Sequence, residues 1–137
     1  MKTLLLSVCS IMIFPFCPPN IAVATPDPIV AIVNQVRADN GCKTPLREVV
    51  KLRNAAEERA DAITKNWSHA GNWDTIAKYY QYKTAGENLA KGFSNDNDVV
   101  NAWLRSETHR KVMLNCKYTE TGIGREGKYY VQVFAKP

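Results

Sequence analysis

The sequence lacks the short signatures by which many catalytic sites are recognised. It has no His-Glu-x-x-His motif, no Gly-x-Ser-x-Gly elbow and only 2 histidines in 137 residues. It also has no internal repeat and no low-complexity segment. These absences weigh against the common zinc-protease and serine-hydrolase patterns. Any chemistry must therefore come from residues that are distant along the chain.

A clustered stripe of positive charge is also missing. The chain carries 18 Lys and Arg against 13 Asp and Glu, a net charge of +5, but acids are interspersed among the cations throughout. Nucleic-acid-binding domains place their cations on one face or along one helix. We therefore expect a mixed solvated surface and no nucleic-acid partner.

The first 24 residues form the pattern of a secretory signal peptide. A basic start at Lys2 precedes an apolar run, Leu4 to Phe16, and the small-x-small triplet Ala22-Val23-Ala24 follows two prolines. The apolar run is short of the about 20 residues that span a bilayer, although a retained membrane anchor is the alternative. We expect a secreted protein, extracellular or in the cell envelope, with no transmembrane segment in the mature chain.

Cleavage after Ala24 would leave 113 residues, enough for one domain with a net charge of +4. Only two of the four cysteines, Cys42 and Cys116, would remain. Outside the cytoplasm two cysteines are most simply one disulfide, which here closes a loop of about 74 residues and adds around 4 kcal/mol in the chain-entropy model. Two separate thiols are the alternative.

Hydrophobic periodicity predicts helices first and strands last. Asp27-Pro28 begins a helix that ends at Asn40-Gly41, and the longest helix runs from Glu48 to Asn66. The remaining predicted elements are a helical turn at 75–80, a helix after the polar cluster 94–98, a helix at 109–114 capped by Ser106, and a hairpin of strands 119–125 and 128–135. This order is typical of an α+β domain.

Three polar residues stand out as candidates for a site. His69 and His109 each lie at a helix boundary, and Glu87 lies in an apolar stretch, expected to be buried, where a carboxylate needs a partner. Two imidazoles and a carboxylate can hold a cation such as zinc. Alternatively, Glu87 accepts main-chain hydrogen bonds and fixes a loop.

Aromatic residues cluster near the same loops. Core packing is the favoured interpretation for Trp67 and Trp73, and exposure beside a cleft is the alternative. The full set is Trp67, Trp73, Tyr79, Tyr80 and Tyr82.

Several ordered segments resemble the CAP superfamily of cysteine-rich secretory proteins, antigen 5 and pathogenesis-related proteins, in its short secreted bacterial (SCP) form. The resemblance covers nearly all of residues 25–137. Its pieces are Trp67-Ser68-His69, Gly86-Glu87-Asn88-Leu89-Ala90, Val100-Asn101-Ala102-Trp103, Ser106-Glu107-Thr108-His109-Arg110, Met113-Leu114-Asn115-Cys116 and Tyr130-Val131-Gln132-Val133-Phe134.

This resemblance implies a three-layer α-β-α sandwich with a small antiparallel sheet between helical layers. It also implies a cleft lined by two histidines and two acids, of which His69, Glu87 and His109 match three. Ser106 stands where the fourth acid is found, so a divalent metal such as zinc would have at most three protein ligands and bind weakly. The Cys42 and Cys116 pair resembles a disulfide of secreted bacterial members.

For function, the resemblance implies a monomeric extracellular module that binds a lipid, sterol or protein ligand in this cleft. One alternative is a metal-dependent, peptidase-like hydrolase that acts through His69, Glu87 and His109. Another is a structural cell-envelope protein that uses the polar residues for stability alone.

Overall fold

The computed structural model describes residues 25–137, so the predicted signal peptide at 1–24 lies outside the described residues. This part of the chain contains five helices and four strands. The helices are α1 (Pro28–Asp39), α2 (Val50–Lys65), α3 (Asn72–Tyr79), α4 (Asp96–Arg105) and α5 (Glu107–Met113). The strands are β1 (Arg47–Glu48), β2 (Thr84–Lys91), β3 (Glu120–Glu126) and β4 (Tyr129–Lys136).

The four strands form one sheet in the order β1-β3-β4-β2. β3 and β4 form the predicted hairpin, which turns at Gly127 with φ of 56°, a left-handed conformation that suits glycine. β2 pairs antiparallel with β4, whereas the two-residue β1 pairs parallel with β3. The sheet is therefore mixed and not, as the resemblance implied, wholly antiparallel. β1 was not predicted because a two-residue strand leaves no alternating pattern in the sequence.

Helices cover both faces of the sheet, which confirms the predicted α+β sandwich. One layer, α2 and α3, packs on the sheet through a core that includes Leu52, Ile76 and Val131. The other layer, α1, α4 and α5, packs through a second core that includes Trp103 and Phe134. Along β4, side chains that belong to the two cores point to opposite faces of the sheet, as the pleat of a strand requires.

The ends of the helices follow the sequence in part, since α3 begins at Asn72 rather than at Thr75 and α5 begins at Glu107 rather than at His109. Asp27 caps α1 by accepting a hydrogen bond from the Ile29 amide at 2.9 Å, as predicted. Ser106 lies at the N-terminus of α5, but its side chain makes no capping hydrogen bond, so that prediction is wrong. The predicted start of the longest helix at Glu48 is also wrong, because Glu48 belongs to β1 and α2 begins at Val50.

The sequence did not predict β2 as a strand. Its small and polar residues, such as Gly86 and Asn88, carry little β-propensity. The strand forms because β4 offers it a full antiparallel partner.

A disulfide joins Cys42, just after α1, to Cys116, just before β3, and this confirms the predicted pairing. The buried Arg37 holds the same segment by donating hydrogen bonds to the carbonyl oxygens of Met113, Asn115 and Tyr118. The segment 113–118 is therefore fixed to α1 by two independent contacts. No helix within residues 25–137 has the length and apolarity needed to cross a bilayer.

Candidate functional site

A fully buried ion pair lies at the centre of the candidate site. The Arg59 Nε donates to Glu87 Oε2 at 2.8 Å, and its Nη2 donates to Glu87 Oε1 at 3.1 Å. The two side chains are 4% and 0% exposed. This two-pronged contact supplies the partner that a buried carboxylate requires.

Arg59 was not among the predicted site residues, although the sequence contains a signal for it. Arg59 falls on the apolar stripe of α2, three residues after Ala56 and four before Ile63. A charged residue at a core position of a helix indicates a buried partner on the facing element. Here that facing element is β2.

Arg59 also holds the loop that follows α2. Its Nη2 donates to the Ser68 carbonyl oxygen at 2.8 Å, and its Nη1 donates to the Ala70 carbonyl oxygen at 3.1 Å. These two carbonyls flank His69. One buried guanidinium therefore fixes both the carboxylate and the main chain on which His69 stands.

His69 meets Glu87 at this point. Its Nδ1 lies 2.9 Å from Glu87 Oε1, and the His69 side chain is 56% exposed. Because Oε1 belongs to a carboxylate held by a guanidinium, it accepts, and Nδ1 carries the proton. The buried pair thus orients an exposed imidazole, whose Nε2 is left as the outer nitrogen.

His109 lies on α5, across from β2. The Asn88 side-chain amide donates to the His109 carbonyl oxygen at 3.0 Å, which fixes this part of α5 to β2. Burial lowers the pKa of His109, and the nearby charge of His69 lowers it further. Ser106 lies at the junction of α4 and α5, and neither Ser106 nor His109 lines the depression in which His69 and Glu87 lie.

A depression of about 360 Å³ opens beside His69, and we call it the His69 depression. Trp73 stands in its wall and is 50% exposed. Trp67, 43% exposed, is not among the lining residues and lies beneath the Lys91 ammonium. Core packing of these two tryptophans was therefore a wrong prediction. The lining residues are His69, Asn72, Trp73, Ala85, Gly86, Glu87, Thr108, Val112 and Tyr118.

The arrangement of His69, Glu87 and His109 does not fit a zinc site. Among residues 25–137, no three His, Cys, Asp or Glu side chains are grouped so that they could hold a metal ion. The physical reason is Arg59, whose guanidinium takes both Glu87 oxygens. A cation would have to displace a buried positive charge before it could reach the carboxylate.

The fold is that of a known domain family. The family model for the cysteine-rich secretory protein family (CAP) matches residues 30–134, and the chain belongs to this family. The match includes every residue of the site described above.

Known proteins from several bacteria are similar to the chain. The uncharacterized protein YkwD of Bacillus subtilis is 32% identical over an alignment that covers 77% of this chain and 45% of that protein. An extracellular SCP-domain protein of Bacillus anthracis superposes with a TM-score of 0.74 at 25% identity, over 80% of this chain and 39% of that one.

An outer surface protein of Borrelia burgdorferi superposes with a TM-score of 0.70 at 25% identity, over 79% of this chain and 89% of that one. The solved neighbours thus include an extracellular protein and a surface protein. The chain spans less than half the length of the curated relatives it matches, at 45% and 17% of their lengths.

Proposed function

We propose that this chain is a binding module that works outside the cytoplasm and holds its ligand in the His69 depression. The signal-peptide pattern of residues 1–24 supports the location, as do the extracellular and surface proteins among its structural neighbours. The depression supports the activity. It combines an exposed indole with an oriented imidazole.

The observation that carries the proposal is the buried Arg59–Glu87 pair beneath exposed His69. Arg59 fixes the loop carbonyls of Ser68 and Ala70, and Glu87 fixes the imidazole. A ligand that contacts this loop therefore meets groups already held in place, which reduces the entropy lost on binding. Trp73, half-exposed at the wall, has the properties of an interface anchor.

Binding is favoured over metal-dependent hydrolysis by the same contacts. Hydrolysis with His69, Glu87 and His109 as three direct metal ligands needs a carboxylate that can coordinate the ion, and Arg59 occupies that carboxylate. A purely structural role does not explain why the buried pair orients an imidazole, His69, that is more than half exposed beside a half-exposed Trp73. Both alternatives are outcomes of the experiment below.

The experiment is an NMR titration of the secreted, isotope-labelled protein with three probes. They are phosphatidylcholine vesicles with and without sterol, a free fatty acid, and a library of blocked peptides. We expect at least one probe to shift the Trp73 indole and His69 ring signals and to leave the Trp67 indole unchanged.

Trp67→Ala is the matched control for Trp73→Ala, since both indoles are exposed but only Trp73 lines the depression. Only Trp73→Ala should weaken the interaction. Shifts confined to Trp67, or no shift with any probe, would contradict the proposal. Zinc-dependent cleavage of the peptides, lost in His69→Ala, would favour the hydrolase instead.

A further inference from the structure

β2 lies at one edge of the sheet and pairs with β4 alone among the described strands. Two side chains bond to its outer edge. The Tyr118 hydroxyl donates to the Ala85 carbonyl oxygen at 3.0 Å, and the Trp103 Nε1 donates to the Leu89 carbonyl oxygen at 2.9 Å. Within the described part of the chain, these are the side chains that bond to the main chain of β2.

The residue between these two carbonyls is Glu87. Main-chain groups of a strand alternate in direction, so positions 85, 87 and 89 share the outward direction. An independent contact shows that the even positions face β4. The Gly92 amide donates to the Lys128 carbonyl oxygen at 2.9 Å, in the same register as the β2–β4 pairing. The Glu87 N–H and C=O therefore point away from β4.

Exposure places the main chain of Glu87 in the His69 depression. Glu87 as a residue is 5% exposed, while its side chain is 0% exposed. What Glu87 presents to solvent is thus its main chain, and Glu87 lines the depression. The main chain of one edge-strand residue therefore forms part of the wall, between positions 85 and 89, whose carbonyls are already bonded.

We propose that the His69 depression binds an extended peptide segment of a partner protein, with one peptide residue pairing with the Glu87 main chain. This inference rests on the proposed binding function and names its ligand class. An apolar side chain of the peptide would lie against Trp73, Val112 and Tyr118. The contact is a short form of strand addition to a sheet edge.

Chemistry favours a peptide over a lipid or a sterol. A peptide residue offers both an acceptor and a donor to the Glu87 N–H and C=O. An acyl chain or sterol ring would cover these groups without replacing their hydrogen bonds to water, which is unfavourable for buried polar groups.

The neighbouring contacts limit how far the pairing can extend. Tyr118 and Trp103 occupy the carbonyls two residues to either side of Glu87, so a peptide must leave the edge after one paired residue. Gly86 allows the side chains of Tyr118 and Val112 to lie close to the β2 main chain, since a Cβ at position 86 would lie 2.8 Å from both the Tyr118 hydroxyl oxygen and Val112 Cγ1. Recognition therefore depends on one peptide residue that pairs with the Glu87 main chain and on one peptide side chain that lies in the depression.

The test begins with a positional-scanning library of blocked pentapeptides and the secreted protein, with affinity measured by fluorescence anisotropy. The best peptide is then remade with a single N-methyl group at each position in turn. N-methylation removes one N–H donor and leaves the protein unchanged. We expect a loss of about tenfold or more at one position, equal to about 1.4 kcal/mol, and smaller losses at the others.

Two protein variants complete the test. Trp73→Ala should weaken the best peptide by about tenfold, as expected for an aromatic anchor, and Trp67→Ala should change its affinity less than about twofold. Equal effects of the two variants, or equal tolerance of N-methylation at every position, would overturn the inference.

Failure of this inference can be told apart from failure of the proposed function. If no peptide binds while vesicles or fatty acid shift the Trp73 indole, the peptide ligand is refuted and the binding module stands. If no probe reaches Trp73, both are refuted.

Discussion

Two strands of the same sheet each bury a carboxylate that is bonded to an arginine and to a third proton-bearing side chain. On β2, Glu87 meets Arg59 and His69. On β3, Glu120 meets Arg47 and the Tyr80 hydroxyl. The chemistry is nearly the same, but the Arg59 side chain is 4% exposed and the Arg47 side chain is 71% exposed.

This difference in burial separates a network that organises a site from one that adds local stability. Water screens the Arg47–Glu120 pair, so its net contribution is small. The Arg59–Glu87 pair has no such screening, and both groups depend on each other. Arg59 also uses its remaining N–H groups on the loop that carries His69, whereas Tyr80 belongs to the end of α3.

Removing the buried arginine should have the largest effect. Arg59→Met leaves Glu87 buried without its cation and frees the loop carbonyls, and we expect the free energy of unfolding to fall by about 3 to 5 kcal/mol. Arg47→Met, the matched control, should lower it by at most about 1 kcal/mol. Urea unfolding measures both values. Equal losses would show that burial does not distinguish the two networks.

Neutralising the carboxylates should give the same order with smaller values. Glu87→Gln leaves Arg59 as an unpaired buried charge, and we expect a loss of roughly 2 to 3 kcal/mol. Glu120→Gln leaves a solvated Arg47 and should lose about 1 kcal/mol. In addition, only Glu87→Gln should broaden or shift the His69 ring signals in NMR spectra. An unchanged His69 ring would argue against its orientation by Glu87.

The sequence predicted the helices and the hairpin well because their patterns are local. Asp27-Pro28 fixes the start of α1, and a run of β-branched and aromatic residues indicates β4. β1 and β2 were missed for a physical reason. Their pairing depends on distant partners, and β2 consists of residues that have weak strand propensity when considered alone.

The candidate site was predicted only in part, and the missing part is instructive. The placement of His69, Glu87 and His109 and the resemblance both indicated these residues, but the pairing of Glu87 with Arg59 spans 28 residues and leaves no local pattern. The position of Arg59 on the core stripe of α2 was the available signal. Likewise, the exposure of Trp73 depends on where α3 packs, which no local sequence window specifies.

The tyrosine of the second network gives a test that depends on pH. Burial and the Glu120 carboxylate raise the pKa of Tyr80 to about 12. A tyrosine in the unfolded chain ionises at about pH 10, so the unfolded state releases this proton before the folded state does. The free energy of unfolding therefore falls as the pH rises from about 10 to 12. Tyr80→Phe should remove this part of the pH dependence and, below about pH 10, lower the free energy of unfolding by about 1 to 2 kcal/mol.

Thermal unfolding of both proteins between about pH 8 and pH 12 measures the effect across the range in which tyrosine titrates. Identical slopes in the two proteins would show that Tyr80 is not the group responsible. In the Glu87 network, within residues 25–137, the position that Tyr80 holds beside Glu120 is held by the exposed His69. This alkaline titration therefore tests the Glu120 network alone.

The smallest effect on stability is expected for His69→Ala. This variant tests whether the Glu87 network serves ligand binding and not stability. The His69 side chain is 56% exposed, and without it Glu87 keeps both hydrogen bonds from Arg59. We therefore expect the free energy of unfolding to change by less than about 1 kcal/mol, as for other exposed substitutions. Binding in the His69 depression should nevertheless weaken several-fold in the NMR titration.

A loss of about 1 to 2 kcal/mol or more, as expected for Tyr80→Phe, would instead place His69 among the groups that hold the fold together. In that case His69 would resemble Tyr80, and the two networks would differ in burial but not in role. Retained stability with weakened binding would separate them, because it would show that the buried pair supports a side chain whose contribution is made to a ligand.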